Sequence, residues 1–171
     1  MHFLKYATKN IFSLGERFDA YVSDIYLAGI KTEIATFQSE VPTWEEWDKG
    51  HLTTCRFVAR TGEKILGWAA LSAVSNRCVY AGVVEVSVYI SEEHKGKGVG
   101  TSLLNYLIQQ SEKEGFWTLQ AGIIKENIPS RMLHKKCGFR EIGYRERLGK
   151  MNNGMWHDVI LMERRSKIIG N

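Results

Sequence analysis

The chain has 171 residues, of which 44% are hydrophobic and 25% charged, with only 2 prolines. That balance excludes disordered, collagen-like and low-complexity classes, and a chain of this length buries about 70% of its unfolded surface without a disulfide or metal staple. The formal net charge is +4, but acids and bases are mixed along most of the chain. The two basic clusters, at residues 95–97 and 164–167, are not the concentrated stripe of a nucleic-acid binder, so no nucleic-acid partner is expected.

The longest mostly apolar run, residues 65–71, is far shorter than the roughly 18 residues of a membrane span. Residues 1–5 lack the basic-then-apolar pattern of a signal peptide. Neither a membrane partner nor export is therefore expected. Cys55, Cys78 and Cys137 are odd in number and contain no C-x-x-C. No metal site and no disulfide framework is expected, and a reducing, cytoplasmic location fits.

In chain order, residues 3–7 suit a first strand, and residues 17–30 a helix with Phe18, Val22, Ile25 and Tyr26 at helical spacing. Thr43-Trp44-Glu45-Glu46 has the form of a capping box after Pro42, so a second helix starts there. Residues 56–59 and 65–73 read as strands joined by a turn at residues 61–64. After the polar residues Ser75, Asn76 and Arg77 comes a strand at 83–90, in which Val84, Val86, Val88 and Ile90 alternate with Glu85, Ser87 and Tyr89. A glycine loop leads into a helix at 99–114 with an apolar stripe of Leu103, Leu104, Leu107 and Ile108. Residues 116–124 form a strand, 130–137 a short helix, and 139–146 with 156–162 a final strand pair around Asn152-Asn153-Gly154. The alternation predicts one α/β (α+β) domain over residues 1–171, a sheet flanked by helices.

The most informative segment is Lys95-Gly96-Lys97-Gly98-Val99-Gly100-Thr101, directly between the strand at 83–90 and a helix. Glycines let successive N–H groups converge on one anion, and the helix N-terminus adds partial positive charge. A pyrophosphate suits such a loop, with Lys95 and Lys97 at hand; a tight turn with solvated lysines is the plainer alternative. The G-x-G-x-G spacing fits neither a P-loop nor a dinucleotide-binding loop.

The loop does resemble the acetyl-coenzyme A loop of the GNAT acetyltransferases, [QR]-x-x-G-x-[GA], with Lys95 in the first position. Downstream, Asn127-Ile128-Pro129-Ser130 and Leu133-His134-Lys135-Lys136-Cys137-Gly138-Phe139 resemble the family's N-x-x-[AS]-x-x-L-[YH]-x-x-x-G-F pattern. Membership implies a mixed, V-shaped sheet whose strand before the loop splays from its neighbour to admit acetyl-coenzyme A. By this resemblance the backbone of Val88, Tyr89 and Ile90 meets the pantetheine and acetyl carbonyl. Residues Gly96, Lys97, Gly98, Val99, Gly100 and Thr101 hold the pyrophosphate, and Asn127 and Lys136 also touch the cofactor. A narrower resemblance links the chain to the phosphinothricin and methionine sulfone N-acetyltransferase branch. It rests on Ile34-Ala35-Thr36-Phe37 with Pro42, Val84-Glu85, His134 and Trp156-His157-Asp158. The branch differs between residues 73 and 83, where Ser75-Asn76-Arg77-Cys78 stands here and Val83 replaces a threonine. That branch implies a homodimer.

Acetyl transfer to an amine needs a neutral nitrogen, a polarised thioester carbonyl and a proton for the departing thiolate. Glu85, on the face opposite Val84 and Val86, suits the base, directly or through water; a sheet-surface glutamate paired with a lysine is the alternative. His134 suits a proton or hydrogen-bond donor to the sulfur, against an ordinary surface histidine, and the N–H near Val88 suits the oxyanion donor. Arg77 could grip a substrate carboxylate in a bidentate fork, with Ser75 and Asn76 adding hydrogen bonds. Phe37, Tyr80 and Trp156 either line an apolar pocket or belong to the core or a dimer interface. Cys137 reads as a buried helix-end residue, so no acyl-cysteine step is expected. The implied activity is N-acetylation of a small amino-acid-like amine in a ternary complex. A protein or peptide N-acetyltransferase and a non-catalytic acyl-coenzyme A-binding module are the alternatives.

Overall fold

The alternation of residues 83–90 sorts their side chains as the pattern requires. In the computed structural model, which describes residues 10–14 and 20–170, Val84 and Val86 are buried and Glu85 points to the other face. The strand expected at 3–7 and the first turn of the helix expected at 17–30 lie outside the described residues.

The elements are β1 (Ile11–Ser13), α1 (Ala20–Lys31), α2 (Trp44–Gly50), β2 (Phe57–Thr61), β3 (Lys64–Ala73), β4 (Val83–Ile90), α3 (Val99–Lys113), β5 (Thr118–Ile124), α4 (Ile128–Lys136), β6 (Arg140–Lys150) and β7 (Trp156–Arg165). They build one seven-stranded sheet in the order β1-β2-β3-β4-β5-β7-β6, the mixed α+β architecture expected. Its only parallel pair is β4 with β5, because α3 supplies the crossover that parallel neighbours need.

Each face of the sheet carries its own apolar layer. The α3 stripe of Leu103, Leu104, Leu107 and Ile108 packs with Val84, Val86, Leu119 and Met162. On the opposite face, Val22, Ile25 and Tyr26 of α1 and Trp47 of α2 cover Val58, Trp68 and Ala70. Burying each such aliphatic side chain contributes about 1.5–3 kcal/mol, so α3 is held by its stripe more than by helix propensity.

Local signals behave as read. Thr43 caps α2, accepting from the Glu46 N–H while the Glu46 carboxylate accepts from the Thr43 N–H. Several boundaries shift by one to four residues, and β1 at Ile11–Ser13 was not read from the sequence. The strand read from 56 begins at Phe57, because Arg56 is buried and its guanidinium binds Asp48 and the carbonyls of Leu52 and His51. The strand read from 139 to 146 runs on to Lys150, since a bulge between Arg145 and Gly149 restores pairing with β7. Arg147 sits in that bulge at φ 45° with its N–H donated to Asp158.

Candidate active site

Pairing between β4 and β5 covers only Val83–Glu85 against Thr118–Gln120. Beyond Glu85, β4 is bound on its β3 side alone, through Ile90 opposite Gly67. The two parallel strands therefore part, giving the splay that the family resemblance implied. The phase of the β3–β4 ladder decides which peptide groups face the gap. Ser91 N–H donates to the Leu66 carbonyl at 2.9 Å. Antiparallel hydrogen-bonded pairs alternate, so Tyr89 and Ser87 bond to Trp68 and Ala70 of β3. Val88 and Ile90 turn their N–H and C=O groups toward the gap. Tyr89, read as a backbone contact of the cofactor, instead directs its peptide groups to β3.

At the far end of β4 the glycine loop opens onto the N-terminus of α3. Gly98 takes φ 87° and Gly96 φ 74°, conformations that favour glycine. Gly98 offers no side-chain cap, and Ser102 is the first residue of α3 whose N–H reaches a carbonyl, that of Gly98. The N–H groups of Val99, Gly100 and Thr101 thus remain for an anion, as the first turn of a helix allows. Lys95 is ion-paired to Glu92, while Lys97 and Lys136 are exposed nearby in sequence to the loop and to α4's end. Val99 contributes only its N–H, because its side chain is buried in the α3 layer. These donors fit a pyrophosphate, and the gap beside Val88 and Ile90 fits an extended amide-bearing arm. Acetyl-coenzyme A has both parts and would supply the activated acyl group.

Glu85 stands where the strands part. A Cβ at Gly122 of β5 would lie 3.9 Å from Glu85 Oε1, so the carboxylate lies over a glycine and not over a side chain. Its outer edge meets solvent, yet the walls of the fork strip enough water to push its pKa above 4.5, with Arg145 opposing the rise. A carboxylate of raised pKa is a better proton acceptor than an ordinary glutamate.

His134 is buried, at 2% exposure, which removes the surface alternative. Its Nδ1 lies 2.8 Å from the Ser130 carbonyl oxygen, so in the neutral ring that nitrogen carries the hydrogen. Nε2 is buried without a partner, and burial lowers the ring's pKa. The neutral ring has no hydrogen to give from Nε2, so donation to a thiolate requires a protonated form that burial opposes. Asn127, read as a cofactor contact, has both ends of its amide engaged. Oδ1 accepts from the Ser130 N–H at 3.2 Å, capping α4, and Nδ2 donates to the Ile34 carbonyl at 3.1 Å.

A cavity of about 500 Å³ opens on the same face of β4 as Glu85, with Ser87, Tyr89, Trp68, Tyr26 and His51 in its wall. Residues 38–42 of the α1–α2 connection close one side of it. A neighbouring cavity of about 310 Å³ holds Phe37, and Gln38 and Ser39 line both. Ser75, Asn76 and Arg77 line neither: the Arg77 N–H is bound to Ser75 Oγ, and its guanidinium lies over the Tyr80 ring at 5.4 Å. Trp156 is exposed on β7 with Lys150 over its ring. His157 and Asp158 do not pair. His157 faces Glu126, and Asp158 is held down to about 2 by the Tyr144 hydroxyl, the Arg147 N–H and Lys125. Cys137 is buried, its thiol pushed up to about 11, as befits a packing residue. Sequence reading missed Trp68, His51, Gly122 and Arg145 at the site. The only signal for them was that Glu85, Ser87 and Tyr89 share one face.

A splayed parallel pair, a glycine loop at a helix N-terminus and a carboxylate at the fork define an acetyltransferase. The sequence matches the acetyltransferase (GNAT) family over residues 23–139, and the chain belongs to that acetyl-coenzyme A-dependent family. It is 32% identical over 149 residues to the phosphinothricin N-acetyltransferase of Streptomyces viridochromogenes, covering 85% of this chain and 81% of that protein. It is 32% identical over 100 residues to the L-methionine sulfoximine/L-methionine sulfone acetyltransferase of Pseudomonas paraeruginosa, covering 58% of each. Among solved structures, the phosphinothricin acetyltransferase of Sinorhizobium meliloti in complex with AcCoA superposes with a TM-score of 0.78 at 26% identity, covering 94% of both chains.

Proposed function

We propose that the protein moves the acetyl group of acetyl-coenzyme A to the primary amine of a small amino-acid-like acceptor, by direct attack in a ternary complex. The observation that carries this is the Glu85 carboxylate at the point where β4 and β5 part, on the face that holds the larger cavity. The cavity is walled by Ser87 and Tyr89 of β4, one and two alternations along the same strand face from Glu85, so an amine reaching from it toward the fork meets a carboxylate of raised basicity. Glu85 takes the amine's proton, directly or through water, so that a neutral nitrogen with a free lone pair is formed. The Val88 N–H, directed into the gap, donates to the acyl oxygen as negative charge develops on it. The adduct then collapses, the C–S bond breaks, and the coenzyme A thiolate leaves and takes a proton from water as the attacking nitrogen gives up its second proton. The loop N–H groups of Val99, Gly100 and Thr101, with Lys95, Lys97 and Lys136, hold the pyrophosphate end. The named activities of the phosphinothricin and methionine sulfone relatives support the amino-acid-like acceptor.

The proposal extends to one acetyltransferase domain over residues 1–171 acting as a homodimer. Ile142, Tyr144 and Leu148 are exposed along the edge strand β6, a surface that association would cover. A thiol-release assay with acetyl-coenzyme A tests the activity against phosphinothricin, methionine sulfone and sulfoximine, ordinary amino acids, polyamines and peptides. Preferred turnover of an amino-acid analogue is the expected result. Preferred turnover of peptides, or none despite coenzyme binding, overturns it.

A further inference from the structure

We propose that Asn127 is a positioning residue for the acceptor, clamping the α1–α2 connection to the start of α4. The connection, residues 32–42, contains no helix or strand. Thr36 bonds the Tyr89 side chain of β4, but the hydrogen bonds within the segment are short-range turns, such as Thr32 Oγ1 to the Gly29 carbonyl and Gln38 N–H to Thr36 Oγ1. Such bonds shape a segment without fixing it in space. Its placement depends on long-range ties, and Asn127 Nδ2 to the Ile34 carbonyl reaches across 93 residues. The Phe37 ring against Gly149 and Asn153 Nδ2 to Glu33 Oε2 at 3.1 Å tie it to the β6–β7 hairpin.

The clamp joins two parts of the site. On one side, residues 38–42 wall the larger cavity. On the other, α4 packs on α3, where Leu133 stands 3.2 Å from the space a Cβ at Gly100 would fill. One amide therefore sets the acceptor wall against the helix pair that carries the pyrophosphate loop. With one hydrogen of Nδ2 held by Ile34 and Oδ1 held by Ser130, Asn127 acts on the acceptor through the connection.

Asn127→Asp separates these roles. Aspartate caps a helix as well as asparagine, but it has no hydrogen for Ile34 and sets a carboxylate oxygen against that carbonyl. The expected result is an acceptor KM raised about five- to tenfold, as for one lost hydrogen bond. The KM for acetyl-coenzyme A should stay within about twofold. A raised coenzyme KM with an unchanged acceptor KM, or no change in either, overturns the proposal. Should this variant fail to fold, Asn127→Ser keeps a capping oxygen and is read in the same way.

The kinetic arm rests on the acetyl-transfer reading. Amide hydrogen exchange does not: faster exchange in residues 32–42, with α4 unchanged, supports the clamp, and unchanged exchange overturns it. A wild-type protein that acetylates no amine would defeat the functional reading, and exchange would still judge the clamp.

Discussion

The Glu85 carboxylate lies over Gly122 of β5, close enough that a methyl group there would touch it at 3.9 Å. Glu85 therefore owes its raised pKa to the fork and keeps an open side because β5 has a glycine at that register. Glu85→Gln should lower kcat about 100-fold or more while leaving acetyl-coenzyme A affinity within about twofold. Activity in the wild type should fall as pH drops through a value above 4.5, because protonation removes the base. Gly122→Ala adds a methyl group that displaces water from the carboxylate, so this acidic limb should move to still higher pH. A kcat–pH profile of the three proteins checks both points.

The glycine loop separates strain from charge. At Gly98, with φ 87°, alanine introduces backbone strain without charge, while aspartate adds a negative charge against the free N–H groups of α3. Gly98→Ala should weaken acetyl-coenzyme A binding about tenfold or less, and Gly98→Asp should abolish it. Calorimetric titration with both variants checks the order, and comparable binding by the two would remove the loop from the pyrophosphate site.

His134 is buried and His51 half-buried, and burial lowers both pKa values below 6.5; that of His94 is lowered as well. The folded state therefore binds fewer protons than the unfolded state just below pH 6.5, and stability must fall as pH drops through that region. Tm should decrease between about pH 7 and 5.5. His134→Phe removes the most deeply buried of these three rings, so its Tm should vary less steeply over the same range. An unchanged slope in that variant would mean that His134 is not kept neutral by burial.

Arg77 stacks on Tyr80 outside both cavities. Arg77→Ala should change acceptor kcat/KM by less than about threefold, since exposed stacking contributes little. A loss of tenfold or more in steady-state kinetics would mean that residues 75–77 fold onto the acceptor during turnover.

Much of this site was legible from local rules. Val84 and Val86 facing the core put Glu85 on the other face by period two alone, and Gly96 and Gly98 signalled a backbone that only glycine adopts easily. His134 was located on the right helix and Asn127 just ahead of it, but their roles depended on partners distant in sequence or on burial. A cap at Ser130 is local; a bond to Ile34 is not.

The family was legible as a resemblance of the motifs at residues 95–101 and 127–139. Local signals placed most of the helices and strands, the strand–loop–helix order and the face on which each β4 side chain points. These follow from periodicity, capping and glycine chemistry, which act over a few residues. The tertiary structure decided the rest. It set the ladder phase that turns Val88 and Ile90, and not Tyr89, into the gap. It placed Gly122 under Glu85 and kept residues 75–77 out of the cavities. It also buried His134 with its hydrogen directed to Ser130. Each of these depends on the register and separation of segments far apart in the chain, which no local preference specifies.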